Sequence, residues 1–517
     1  MYKFAEVGAL GGMPWFRGDS DVAFGQSVVD EAGHEAGLIA SWHWDGECLE
    51  VSSDRHGYLP LYYLHDETTG RLLVSESPLQ ILASSPGQDF DLPALAFFCR
   101  AGFLLGDRTL YRNIQRVPAG SVLRWTNGTL SIESTQTQFE GDGPSSIEEA
   151  IDGWIDRFQV AMRRRQPTND FAMPLSGGRD SRMMLMELLR LGYAPSELVT
   201  HGPGSRSVND DLRIAGLLAE RLQLPQNVVR SNRGWVDLEL ERHAWCGVEA
   251  LEHAWLIPLW SYLTSNHNCW YDGLGVGAMT RNAVNTPEMN GFLMNGQFEQ
   301  WCDGLFANTA APTEHWIDRI SSVAPIDLPG KDAVLEYVRE ELAQHLDAPN
   351  PTTRFTFSNW GRRAIALSPF GICRDVESLH TPFMDRDLVN WAASIPAELT
   401  YSNDVQTEAC SRLYPEVADV PFNGTGSKTR HTAGIRQRVN SWMDKSRFFG
   451  STGKVFQDIA AEAMRNTRRD PSANDALGLM GHLVLADACR EPDRARHLMS
   501  CAPTRQILTG RLVESVA

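Results

Sequence analysis

The chain has 517 residues, 42% hydrophobic and 22% charged, an ordinary globular balance with room for two to four domains. With 47 Lys+Arg against 65 Asp+Glu the formal charge is −18, which argues against a general nucleic-acid binder, since that needs a basic face. Nine scattered cysteines without paired or zinc-type spacing, no basic segment leading an apolar core, and no apolar run near the ~18 residues of a membrane span give the expectation of a cytoplasmic, reduced protein with no membrane partner.

Residues 1 to about 135 read as β-rich. Three hairpin signals lie there: Gly37–Asp45 and Leu49–Ser53 flank Asp45-Gly46, Leu61–Leu64 and Leu72–Ser75 flank Thr69-Gly70, and Val122–Trp125 and Leu130–Glu133 flank Asn127-Gly128. Glu140–Ser146, rich in Gly, Pro and Ser, reads as a linker. Helical periodicity follows over about 147–165, and the basic run Arg163-Arg164-Arg165 at its end reads as a solvated helix terminus. Strands then alternate with helices: Phe171–Leu175, Leu198–His201, Asn227–Arg230 and Cys269–Asp272. That pattern predicts a parallel sheet wrapped by helices. From about 290 the chain reads mostly helical. The expected division is 1–140, 147–440 and a C-terminal helical extension over 441–517.

The most informative stretch is Leu175-Ser176-Gly177-Gly178-Arg179-Asp180-Ser181, between an apolar strand and a predicted helix over Arg182–Tyr193. Strand, small-residue turn and helix aim backbone N–H groups at an anion. Gly177 and Gly178 allow close approach of a phosphate, and Ser176 and Ser181 add hydroxyl donors. Asp180 is anionic, so it suits a phosphate site only through Mg²⁺. Met184, Leu185, Leu188 and Leu189 recur at helical spacing and read as the face packed on the sheet. The run resembles the pyrophosphate loop of the N-type ATP pyrophosphatases. It is not the lysine-ended loop GxxxxGK[ST] of kinases and GTPases.

Several segments, in order from about 37 to 430, resemble the asparagine synthetase family. Asp54-Arg55-His56-Gly57-Tyr58-Leu59-Pro60-Leu61-Tyr62-Tyr63 is similar to the RDxxGxxPLYY run of its glutaminase domain, with Ser53 in place of the Arg. Val74–Leu79, Asp107–Leu110 and Val117–Gly120 resemble later segments of that domain. Ser176–Ser181 matches the synthetase loop, and Pro382-Phe383-Met384-Asp385 opens a helix similar to the family's PFLD helix. The resemblance implies a degenerate N-terminal-nucleophile-type sandwich followed by the synthetase domain. It implies ATP and Mg²⁺ as cofactors, with Leu175, Ser176, Gly177, Gly178, Asp180, Ser181, His201 and Gly273 at the nucleotide. The adenine edge should lie against backbone at the strand ends near Leu175 and His201.

The departures from the family carry as much information. Its glutaminase begins on a nucleophilic cysteine. Here Tyr2 follows Met1 and no Cys precedes Cys48, so glutamine-derived ammonia is not expected. The front domain reads as shortened, as in the β-lactam synthetases and lasso-peptide macrocyclases. In the family's SGxGxDE run, Leu274 and Gly277 fall where a catalytic residue and a metal-binding Asp belong. Asp272 is the candidate replacement carboxylate, with a structural Asp as the alternative. Spacing places the family's charge-stabilising lysine near Gln406 or Thr407. Lys428, in Gly424–Arg430, is the nearest cation, with a solvated loop lysine as the alternative. Glu377 is a candidate base one place off a family glutamate.

Asn209-Asp210-Asp211 reads either as a helix cap with first-turn acids or as the family's acidic position. Glu249, Glu252 and His253 are expected on one helix face beside Trp255. Arg179, Arg362 and Arg363 are candidates to bind a substrate carboxylate or phosphate, with surface charge the better reading for Arg362 and Arg363. The expected activity is ATP-dependent amide formation from a small molecule or peptide carrying a carboxylate and an amine. An intramolecular cyclase of the lasso-peptide or β-lactam type and an ammonia-dependent asparagine synthetase are both open. Loss of Glu-, Asp- and Lys-type groups at Leu274, Gly277 and Gln406 supports a rival, a nucleotide-binding or inactive scaffold. A transfer-RNA-modifying role is weaker, lacking a basic surface. A homo-oligomer is compatible with all of these.

Overall fold

The computed structural model describes residues 2–134, 143–202, 209–231, 233–252, 254–275, 277, 279–280, 285–307, 314–321, 328–373, 376, 378–401, 404–423, 445, 454–466 and 472–500. The N-terminal region is built from strands β1 (Phe4–Leu10), β2 (Met13–Gly18), β3 (Asp21–Gln26), β4 (Leu38–Trp44), β5 (Cys48–Ser52), β6 (Tyr62–Asp66), β7 (Arg71–Ser75), β8 (Gln115–Arg116), β9 (Ser121–Thr126) and β10 (Thr129–Ser134). They form two antiparallel five-stranded sheets, ordered β2-β1-β7-β6-β8 and β10-β9-β5-β4-β3. Ala5 and Val7 of the first sheet and Leu38, Ala40 and Trp42 of the second share one buried apolar cluster. Alternation drives this: in β4 those three residues point inward while Ile39 and Ser41 are only half-buried. All three hairpins form as expected, and the tightest closes on Asn127 (φ 47°) and Gly128 (φ 88°), the conformation that Asn-Gly adopts readily.

The first 26 residues correct the expectation of a shortened front domain, because β1, β2 and β3 all lie there. Their sequence concealed them: β2 is largely exposed and β3 alternates between exposed and half-buried positions, so neither shows a strong apolar period. Helices α1 (Pro78–Ser84) and α2 (Leu92–Ala101) complete this region. Their apolar sides join a second core with the C-terminal helices Lys454–Asn466, Ser472–Ala488 and Pro492–Ser500. Arg490, in the turn between the last two of those helices, and Arg496, in the last, donate to the carbonyls of Gln88 and Ala83.

The second region begins with α3 (Ile147–Arg163), capped by Ser146. A parallel sheet follows, ordered β13-β12-β11-β14-β15, from β11 (Ala172–Pro174), β12 (Glu197–His201), β13 (Gln226–Val229), β14 (Cys269–Tyr271) and β15 (Ser378–His380). Helices α4 (Arg179–Arg190), α5 (Asp210–Leu222), α6 (Trp235–Cys246) and α7 (Ile257–Asn266) lie between its strands. Four strands were legible; β15, three residues in a mostly helical stretch, was not. Helix α4 starts three residues earlier than expected and buries Met184, Leu185 and Leu188. Among the described residues no helix is long and apolar enough to cross a membrane.

Three sequence expectations fail here, for one reason: buried charges that look solvated in sequence are paired in space. Arg165 is 2% exposed and donates to Asp385 at 2.6 Å, with Arg164 donating to the same carboxylate at 2.9 Å. Arg362 and Arg363 are buried, not surface charges. Residues 249–252 are not helical: α6 ends at Gly247 in the left-handed region, Glu249 is buried and ion-paired to Arg363 at 2.5 Å, and Glu252 accepts from Trp360. His253 lies outside the described residues. The eight described cysteines are free and all but Cys48 are buried, as small apolar residues would be.

Arg362 and Arg363 sit in a run of π-helical turns, Phe357–Ile365 and Ser368–Ile372, that continues the helix Pro351–Thr356. Such turns are rare and recur at functional sites. Arg362 donates to the carbonyl of Gly57 at 3.0 Å and to Asp107 at 2.6 Å. Arg116 donates to the carbonyl of Arg362 at 3.0 Å, and the Tyr58 hydroxyl to that of Phe357 at 2.8 Å. The loop that meets them is fixed by Asp54, whose carboxylate accepts from the N–H groups of His56, Tyr58 and Leu59. Gly57 is obligatory: its φ is +63° and an added Cβ would stand 2.7 Å from the Arg362 guanidinium. The motif Asp54–Tyr63 thus forms a contact between the two regions.

Candidate functional site

The Ser176–Ser181 loop lies where β11 gives way to α4, at the carboxyl end of the parallel strands, where such sheets bind ligands. Gly178 is the N-cap of α4, and no side chain caps the helix. The loop is held internally: the Ser176 N–H donates to Ser181 Oγ at 3.1 Å and the Gly178 N–H to Ser176 Oγ at 3.1 Å. The Gly177 N–H donates to Asp211 Oδ1 at 3.0 Å, and Asn423 Nδ2 donates to the same oxygen at 2.8 Å. The cap reading of Asn209–Asp211 holds, since Asn209 caps α5 through the Leu212 N–H at 2.8 Å, and Asp211 reaches the loop.

Asp180 and Asp272 come together across Gly273. A Cβ on Gly273 would stand 2.6 Å from the Asp180 Cβ, so glycine is needed for this approach. Asp272 Oδ1 accepts from the Leu274 N–H at 2.8 Å, a structural role that leaves Oδ2 available for another. Burial, and then the nearby Asp180 charge, outweigh that hydrogen bond and raise the Asp272 carboxyl to about 6. Gln406 Nε2 donates to Asp180 Oδ1 at 2.6 Å, and its Oε1 is buried without a hydrogen-bond partner. Gln406, one of the two positions that spacing gives for the family's lysine, thus presents an amide to Asp180. Arg179 turns away, toward Thr407 and Asp404.

A cavity of about 270 Å³ opens here. Of the residues expected at the nucleotide, Leu175, Ser176, Asp180, Ser181, His201 and Gly273 line it, together with Asp272. Gly177 and Gly178 belong to the same loop without lining it. Burial, the largest influence, keeps the His201 imidazole below its ordinary pKa, and Trp255 stands edge-on to it at 5.3 Å. Periodicity gave no sign of Trp255 as a site residue beyond its closeness to Glu252. A smaller cavity, about 60 Å³, lies between the two regions beside Gln26, Arg165 and Leu379, away from the loop. Lys428 and Glu377, the other two catalytic candidates, lie outside the described residues.

Mg²⁺ keeps several waters and takes one or two carboxylates plus phosphate oxygens. Two facing carboxylates, one raised by burial and like charge, suit that demand. Among the described residues no three His, Cys, Asp or Glu side chains converge as an all-protein metal cage.

Residues 23–138 match the family model of a glutamine amidotransferase domain. Over that stretch the match fits an asparagine synthetase-like N-terminal domain. A comparison with curated proteins gave no match. Within the matched stretch the cysteines are Cys48, half-buried on β5, and Cys99, buried in α2.

Proposed function

We propose that the chain is an ATP-dependent ligase that activates a substrate carboxylate and passes the acyl group to an amine without hydrolysing glutamine. The observation that carries this reading is the junction of the Ser176–Ser181 loop with the Asp180–Asp272 pair in one cavity. Mg-ATP, when bound, supplies the activating phosphoryl chemistry and a pyrophosphate leaving group. The uncapped start of α4 and the Ser176 and Ser181 hydroxyls would face the phosphates. Asp180 and Asp272 would hold Mg²⁺, drawing Asp272 into its ionised form. Strand-end backbone near Leu175 and His201 would receive the base. Lys428 is the candidate cation for charge developing at the acyl carbon, and Asp272 or Glu377 the candidate base. An intramolecular amine, as in cyclases of the lasso-peptide or β-lactam type, and free ammonia are both compatible acceptors. Cytoplasmic residence and a homo-oligomer complete the proposal.

One observation favours a second reading, a nucleotide-binding protein without ligase chemistry. Gln406 and Leu274 stand beside Asp180 and Asp272, and neither can supply a charge or a proton. Mg-ATP titration of the intrinsic Trp fluorescence, with Asp180→Ala as control, separates the outcomes. Binding lost in Asp180→Ala, with pyrophosphate released when candidate acids are added, upholds the ligase. Binding without pyrophosphate release upholds the scaffold. No binding with or without Mg²⁺ refutes both.

A further inference from the structure

The cavity extends past the phosphate loop to a wall of a different character. Leu256, Leu259 and Leu274 line it, together with Ile365 and Pro369 of the π-helical run. Among the described residues, the carboxylates that line the cavity are Asp180, Asp211 and Asp272. The apolar wall begins immediately after Asp272-Gly273, so it adjoins the place where the proposed reaction occurs. A substrate group that enters there meets apolar surface. A second carboxylate on the substrate would lose its water against apolar side chains. An aliphatic or aromatic group would lose only unfavourable hydration.

Building on the ligase reading, we infer that the acyl substrate carries an apolar, uncharged side chain beside its reacting carboxyl, and that Leu256, Leu274, Ile365 and Pro369 select for it. The substrate class is thus a leucine- or phenylalanine-like acid or C-terminal peptide residue, and not a dicarboxylic amino acid. The π-helical turns serve this site directly, because they bring Ile365 and Pro369 to the cavity lining.

The test titrates N-acetyl-L-phenylalanine, N-acetyl-L-leucine and N-acetyl-L-aspartate into the full chain saturated with Mg²⁺ and α,β-methylene-ATP. Fluorescence of Trp255 and Trp260, which line the cavity, reports occupancy. The apolar acids should bind at least about tenfold more tightly than the aspartate derivative, the discrimination expected when one or two methylenes are buried or denied a pocket. Ile365→Asp and, independently, Leu256→Asp should weaken N-acetyl-L-phenylalanine about tenfold or more while leaving nucleotide binding unchanged. Both positions are half-buried, so the fold should tolerate the change. Equal or tighter binding of the aspartate derivative overturns the inference. Nucleotide binding with no response to either apolar acid also overturns it and leaves the nucleotide site standing. Failure of the nucleotide itself to bind removes the ligase reading and this inference with it.

Discussion

Replacement of Gly273 by alanine is the sharpest single test of how the site is assembled. The new Cβ would lie 2.6 Å from the Asp180 Cβ, whereas real Cβ contacts essentially never fall below 3.0 Å. Asp180 or the β14 end must therefore move by at least 3.0 − 2.6 = 0.4 Å. Asp180 is in the first turn of α4, so backbone has to shift. Metal ligands tolerate about 0.2 Å, and Mg²⁺ demands near-ideal geometry. The φ of Gly273 lies outside the left-handed region, so the effect is steric and free of backbone strain. Overpacking of this kind costs about 1–3 kcal/mol, and each 1.4 kcal/mol carried into binding is about tenfold in affinity. The expected outcome is at least a tenfold loss of Mg-ATP affinity by fluorescence titration. Gly216→Ala, in α5 with its nearest neighbour at 3.7 Å, should bind Mg-ATP as the native chain does and melt slightly higher. Native affinity in Gly273→Ala would refute the claim that this glycine sets the approach of the two carboxylates.

Three further outcomes are expected. Arg363→Met should lower stability by about 3–5 kcal/mol in urea denaturation, because Glu249 stays buried without its partner; adding Glu249→Gln should restore part of that loss. A midpoint change in the single variant worth under ~1 kcal/mol would show the pair to be dispensable. His380 is 6% exposed, and Gln26 Nε2 lies 2.9 Å from its Nδ1. Burial lowers its pKa from 6.5 to about 4, so its contribution is intact above pH 6.5 and lost as pH falls toward 4. The loss is at most about 3 kcal/mol; melting temperature followed from pH 7.5 to 4 should show this fall, and His380→Gln should flatten it. Asp180→Asn should abolish the Mg²⁺ dependence of nucleotide binding, and a variant whose ATP titration still responds to Mg²⁺ would place the metal elsewhere.

The parts of the molecule with short-range signals were legible in sequence. The three hairpins announce themselves through Asn-Gly, Asp-Gly and Thr-Gly turns, and the loop before α4 through its glycines and serines. What escaped was decided by distant partners. Arg165, Arg362 and Arg363 look like surface charges until Asp385, Asp107 and Glu249 arrive from 100 or more residues away. Strands β2 and β3 escaped because their side chains lie at the surface or half out of it, leaving little apolar period to read. The bond from Gln406 to Asp180 depends on a tertiary meeting that no local pattern encodes.

The grip of Arg362 and Arg363 on the front region, at Gly57 and at Gly106–Arg108, also bears on how this protein can be cut apart or recombined. The π-helical lining of the cavity is tethered, one turn away, to the amidotransferase-like region. A chain trimmed to the parallel-sheet half would leave the Arg362 and Arg363 guanidinium groups without the carbonyls of Gly57, Gly106 and Arg108 and the Asp107 carboxylate that now receive them, and the π-helical run without its anchor. Modular engineering here should therefore treat the front region as scaffolding for the pocket: a transplanted nucleotide half needs its own loop from the donor, or it inherits a pocket with one wall adrift.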